Sequence, residues 1–259
     1  MVLFIDSFLF NGEELVKMRL EYYYNFVDKF YIVESIYTFT GIKKDIFYVD
    51  KFKTWFEPYL DKIVFVKIDH KTSVGFSEEK YQRNYIRNEL LKLNNDFILA
   101  LCDLDEFYDY TLLNKIKEKL FEELSNKTIL FTMKMYYYNF ENLMDDNWEM
   151  AFLINSSMLK NVEDLDYVRV YKLGSATIRL KSGWHFSYFM SPQEIQRKLA
   201  SFSHMDLNRP PYNDVYYIDY VSKKGIHIFQ QKQLNKISFE DSIHGYPELF
   251  KKYYKSLIS

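Results

Sequence analysis

Short apolar runs alternate with amphipathic stretches through the first half of the chain, the sequence appearance of successive βα units around a mainly parallel sheet. Val2–Asp6 predicts a first strand, and Glu13–Tyr24 a helix with Leu15, Met18 and Tyr22 on one side. Phe30–Glu34 and Lys62–Ile68 predict further strands. Ser77–Leu93 predicts a helix with Ser77 as cap and Glu78 and Glu79 in its first turn, where acids favour the helix dipole. Phe97–Cys102 is continuously apolar, as expected of a strand covered on both faces, and it ends in Asp103-Leu104-Asp105-Glu106.

A helix over Leu112–Leu124 capped by Thr111, a long strand over Thr128–Tyr138 and a polar loop over Asn139–Asn147 come next. Shorter strands are expected at Trp148–Ile154, Val168–Lys172, Thr177–Leu180 and Trp184–Phe189. Ser191-Pro192-Gln193-Glu194 combines a capping Ser, a first-turn Pro and a reciprocal acid, so a helix runs from there towards Ser203. Another spans Asp214–Lys224 and stops at Gly225. No repeat or long linker divides the chain, which predicts one α/β domain over residues 1–259.

Composition narrows the function. Hydrophobic residues make up 48% and charged residues 27% of 259, enough for a packed globule. The 24 Tyr and 23 Phe either fill a core or line a cleft where sugars stack on rings. A net charge of −2 and dispersed Lys and Arg argue against a dedicated nucleic-acid surface, although not against a nucleotide ligand. Cys102 has no cysteine partner, and no spacing resembles a zinc site. There is no basic leader and no apolar run near the roughly 20 residues of a membrane span, so a cytoplasmic protein is expected.

In open α/β sheets ligands bind beyond the carboxyl ends of the strands, which is where Asp103, Asp105 and Glu106 lie. Alternation along an extended segment sends Asp103 and Asp105 to one side, giving two hard oxygen ligands suited to Mn²⁺ or Mg²⁺ with a diphosphate. The other reading is an exposed acidic turn that ends a strand. Acids this crowded repel unless a cation or basic partner is near, so neutralising Asp105 is expected to leave stability unchanged or raise it. Arg83 and Arg87, four apart on one helix face, either hold phosphates or pair on the surface with acids such as Glu79.

Several blocks resemble glycosyltransferase family 17 in pattern and order. They are Asn11-Gly12-Glu13-Glu14-Leu15 with Met18-Arg19, then Val27 to Ser35, Gln82-Arg83, Asp103-Leu104-Asp105-Glu106, and Gly183-Trp184-His185-Phe186-Ser187-Tyr188-Phe189. The resemblance implies a GT-A-like nucleotide-sugar-binding fold, a UDP-sugar donor, a glycan hydroxyl acceptor and inversion at the anomeric carbon. A donor- and metal-binding half over residues 1–138 and an acceptor-side half over 139–259 are expected. Phe107-Tyr108 departs from the Ile-Pro that usually follows the acidic motif, which leaves the acceptor open.

Other residues divide between chemistry and structure. His185 serves as a third metal or phosphate ligand or as a satisfied, partly buried residue, with His204 as competitor. Glu34, and with less support Asp6, ends a strand on the binding edge, able to accept from ribose or the uracil N–H or simply to close a turn. Trp184 offers a face to a sugar or packs, and Tyr136, Tyr137 and Tyr138 line an acceptor groove or pack. Inversion needs a carboxylate to take the acceptor proton, and Asp206 is the first candidate, ahead of Asp214 and Glu141. Rival functions are a nucleotidyl- or phosphotransferase, disfavoured without a Gly-rich phosphate loop, and a non-catalytic carbohydrate-binding protein.

Overall fold

The computed structural model describes residues 2–114, 117–238 and 246–257. Its first half follows the predicted pattern: β1 (Leu3–Leu9), α1 (Val16–Tyr23), β2 (Lys29–Ser35), α2 (Tyr48–Lys51), β3 (Ile63–Ile68), α3 (Phe76–Leu90), β4 (Phe97–Leu101) and the short β5 (Glu106–Phe107). β1 lies between β2 and β4 with β3 outside β2, all parallel. Strand addition therefore reverses between β1 and β4, and a crevice opens beyond their carboxyl ends.

The second half comprises α4 (Tyr110–Asn114), α5 (Lys117–Glu123), β6 (Thr128–Tyr137), β7 (Asn142–Trp148), β8 (Phe152–Asn155), α6 (Ser156–Asn161), α7 (Leu165–Tyr171), β9 (Thr177–Ser187), α8 (Pro192–Ser201), α9 (Val215–Lys224) and β10 (Asn235–Lys236), and a C-terminal helix spans Glu248–Leu257. Here the pairing is mixed. β8 is antiparallel to both β4 and β6, β7 to β6 and β10, and β5 to β9, while β6 and β9 run parallel. The parallel pairing expected from the sequence thus runs through the first four strands and returns between β6 and β9, with antiparallel strands joining the two parts.

Local chemistry explains the other departures. Asn139–Asn147 is largely strand, because Asn139 Oδ1 accepts from the Glu141 N–H and the Asn142 side-chain amide and so folds β6 directly back as a hairpin. Val168–Lys172 is helical rather than extended: Asp164 Oδ1 accepts from Asp166 and Tyr167 N–H groups and starts α7, whose Leu165, Val168 and Arg169 turn inward. Of Trp148–Ile154, Trp148 ends β7, Glu149–Ala151 form a connection and Phe152–Ile154 enter β8, after which Asn155 caps α6. Thr177–Leu180 and Trp184–Phe189 belong to one strand up to Ser187.

The caps shift too. Gly75 precedes α3 with Ser77 inside it, and Glu78 takes the Ser73 N–H. Asp109, not Thr111, accepts at the start of α4; Lys115 and Ile116 of the predicted helix lie outside the described residues. The Ser191–Glu194 capping box and the Gly225 stop form as read.

Adjacent residues of β1 feed opposite faces of the sheet, Phe4 and Phe8 on one and Ile5 on the other. Most of the aromatic excess fills the first of these layers. Tyr108 lies between Tyr23 (4.3 Å between centroids) and Phe131 (5.3 Å), both stacked on it. Each such ring contributes about 1.5–3 kcal/mol through burial. No described helix is long and apolar enough to cross a membrane.

Candidate active site

Arg19 of α1 is wholly buried and clamps the Asp6 carboxylate of β1 through Nε (2.8 Å) and Nη2 (2.7 Å). Its remaining nitrogen, Nη1, donates to the carbonyls of Asp103 (3.2 Å), Leu104 (3.3 Å) and Glu106 (2.6 Å). One guanidinium thus holds the backbone of the acidic turn from below. Asp6 neither lines the cleft nor faces a ligand; its work is to keep Arg19 there.

Above the turn a cleft of about 570 Å³ runs over the strand ends. Phe10, Ser35, Tyr37 and Phe39 line one end, Asp103 and Asp105 the middle, and Tyr137, Trp148, Tyr188 and Phe229 the other. Asp103 and Asp105 share this space but take different partners. Arg83 Nη2 reaches Asp103 Oδ1 at 2.7 Å, and Arg169 of α7 binds Asp103 Oδ2. Lys198 Nζ of α8 lies 3.0 Å from Asp105 Oδ2, and His185 Nε2 is 3.4 Å from Asp105 Oδ1. Burial works against ionisation of both acids. Arg169 and Arg83 nevertheless bring the Asp103 carboxyl below its usual range, and Lys198 and His185 bring Asp105 well below it.

Glu106 lies beneath them, fully buried. It accepts from the Asp103 N–H (2.7 Å), Arg169 Nη1 (2.9 Å) and Trp148 Nε1 (2.6 Å). Across from it in β9 is His185, whose Nδ1 is buried without a hydrogen-bond partner among the described residues. β9 comes this close because Gly183 has φ +101°; a Cβ there would lie 2.3 Å from the Phe107 carbonyl oxygen. Gly183→Ala should therefore cost at least about 1–3 kcal/mol, lowering the melting temperature and displacing His185. An unchanged melting curve would show that β5 and β9 can separate freely.

The profile of glycosyltransferase family 17 matches residues 3–253, nearly the whole chain. The chain belongs to that family. No curated protein sequence matches it. Among solved structures, 4-diphosphocytidyl-2C-methyl-D-erythritol synthase is similar over 70% of this chain and 90% of its own, at 14% identity and a TM-score of 0.43. A putative glucose-1-phosphate thymidylyltransferase from Bacillus anthracis aligns with 71% of this chain and 88% of its own, at 8% identity and a TM-score of 0.40.

In this family 17 chain the site gathers some sequence candidates and disperses others. Arg83 lies in the cleft, bound also to Asp166 and Glu79. Arg87 does not; its Nε holds the Val162 carbonyl, so the phosphate role read for it has no geometric support. Glu34 is buried, accepts from Tyr48 N–H (2.6 Å), Val49 N–H (2.8 Å) and Lys44 Nζ, and does not line the cleft, so the ribose role read for it has no geometric support.

Asp206 is exposed on a short turn at Met205–Leu207 and does not line the cleft, although its neighbours His204 and Leu207 do, so the base role read for it has no geometric support. Asp214 is occupied as the cap of α9, and Glu141 lies outside the lining. Trp184 packs on Tyr246 and Phe250. Of the three tyrosines only Tyr137 reaches the cleft, whereas Tyr136 packs near Tyr246 and Tyr138 binds the Ile226 carbonyl.

Arg169, Lys198 and Trp148 were not expected at the site. Arg169 was hidden by an extended reading of its segment. For Lys198 the one available signal is its place in a helix following the Gly-Trp-His block.

Proposed function

We propose that this family 17 chain is an inverting GT-A-type glycosyltransferase that moves N-acetylglucosamine or a related hexose from a UDP-sugar to a glycan hydroxyl. The observation that carries the proposal is the Asp103–Asp105 pair, fixed past the end of β4 at the sheet's switch point and ringed by Arg83, Arg169 and Lys198. Basic groups around paired carboxylates suit a diphosphate, whose charge grows as it leaves.

A divalent cation fits this set in a limited way. Among the described residues no three His, Cys, Asp or Glu side chains form a metal cage. Two carboxylates are nevertheless the share that Mg²⁺ takes from protein when phosphates and water complete its shell, and the Asp103 side chain keeps 32% of its surface accessible. Asp103 and Asp105 would hold Mn²⁺ or Mg²⁺, which supplies Lewis-acid neutralisation of the leaving diphosphate when bound. His185, already against Asp105, serves this reading as an orienting neighbour rather than a third ligand. The uridine end of the donor belongs with Phe10, Ser35 and Tyr37, in the half spanning 1–138, and the acceptor with the half spanning 139–259. The reducing cytoplasm suits a chain whose single cysteine is buried.

Uridine diphosphate with Mn²⁺ should raise the melting temperature, the stabilisation reaching about 2.7 kcal/mol at a hundred times Kd, and chelator should remove most of it. An equal shift with and without metal would reject the cation bridge. No shift in either condition would reject the donor.

A further inference from the structure

We propose that Asp145 is the general base of the transfer, an assignment that rests on the donor reading above. Six carboxylates line the cleft among the described residues, namely Glu13, Glu79, Asp103, Asp105, Asp145 and Asp166. Glu79, Asp103 and Asp166 are tied to Arg83 and Asp105 to Lys198, while Glu13 follows β1 at the donor end and accepts the Asn11 N–H. Asp145 has no Lys or Arg partner among the described residues. Its Oδ1 accepts the Asn147 N–H at 2.9 Å, which orients the group without neutralising it and leaves Oδ2 for a ligand.

The backbone aims Asp145 on purpose. β7 carries an irregularity on each side of it: from Met133 to Met135 on β6 the partner moves from Trp148 to Asp145, and from Met135 to Tyr136 it moves from Asp145 to Leu143. A regular strand sends neighbours to opposite faces, yet Met144 and Asp145 both line the cleft, which the extra residues in β7 permit. Met135 is in register with Asp145 on one side of β6 and with His185 on the other. The two residues are therefore two strand spacings apart, on the order of 10 Å. With His185 against Asp105, a sugar and the attacking hydroxyl lying over Met135 in the cleft would fall between the acidic turn and Asp145.

In the step, the acceptor O–H bond breaks and its proton passes to Asp145 Oδ2 as the oxygen forms a bond to the anomeric carbon. The bond from that carbon to the diphosphate oxygen breaks on the opposite side, and its electron pair leaves with the diphosphate. Asp145 then returns the proton to water.

The test is Asp145→Asn and Asp145→Glu in the full chain, with UDP-N-acetylglucosamine as donor and p-nitrophenyl hexosides or water as acceptor, read as UDP release and as UDP affinity by calorimetry. Asp145→Asn should lose turnover by about a hundredfold or more, with UDP affinity within about twofold and an unchanged melting curve, while Asp145→Glu recovers part of the rate. Turnover near wild type in Asp145→Asn overturns the assignment, as does loss of UDP affinity together with turnover. Wild-type protein that neither binds nor releases UDP would instead sink the donor reading, and this assignment with it.

Discussion

Asp105→Asn is expected to lose transfer by about a hundredfold to a thousandfold, the scale of several kcal/mol of charge stabilisation at a leaving group. Asparagine keeps the size and one acceptor oxygen, so packing cannot account for such a loss. Stability should fall as well. From the sequence, neutralising one of the crowded acids was expected to relieve repulsion, but the structure gives Asp105 to Lys198 and His185, and the variant strips Lys198 of its counterion.

The pH dependence has the same origin. The folded-state pKa values of Asp103 and Asp105 are depressed, so their contribution to stability is in place above the ordinary carboxylate range, near pH 4. It is lost as pH falls below that range towards the folded values, because the unfolded chain then binds protons that the folded one refuses. Acid denaturation should thus be milder in Asp105→Asn, where one such group is gone. Near-normal transfer with the same response to metal as wild type would remove Asp105 from the mechanism, and a steeper acid transition in the variant would reverse the assigned charge pairing.

Arg19→Met should cost the most stability of any single change considered, about 3–5 kcal/mol, because it leaves the Asp6 carboxylate buried and unpaired. For a chain of this size that is a drop of roughly 10 °C in melting temperature. Adding Asp6→Asn to it should restore part of the loss, since the isolated buried charge disappears, without restoring transfer. The three carbonyls that Arg19 gathers would still be unheld. A single variant melting with wild type would show that the turn is supported from elsewhere.

Arg19 and Asp6 mark where sequence reasoning stopped short. The βα order, the acidic turn after β4 and the helices α8 and α9 were legible because periodicity, caps and strand-end placement are local signals. Arg19 belongs to a block that resembles the family but carries no role in the sequence reading, and only the fold brings it under a turn 84 residues away in sequence. Asp206 was chosen for its place just after a helix, a criterion that says nothing about which way a short turn faces. Asp145 falls in Asn139–Asn147, which reads as a loop because it is polar, whereas the segment pairs as an irregular strand that brings Asp145 to the cleft. Arg169 was lost to a Val-Arg-Val-Tyr pattern that mimics a strand while Asp164 starts a helix.

The clamp beneath the acidic turn also sets how such a site can decay over evolutionary time. Asp103, Asp105 and Lys198 pair within the cleft, where part of each side chain stays accessible, so a lineage released from catalysis can replace them at a smaller loss of stability than the wholly buried pair allows. Asp6 and Arg19 have no such freedom, since each substitution strands the other in the core. Inactive descendants are therefore expected to keep the buried pair and to lose the acids above it, a signature that a comparison of family sequences would reveal.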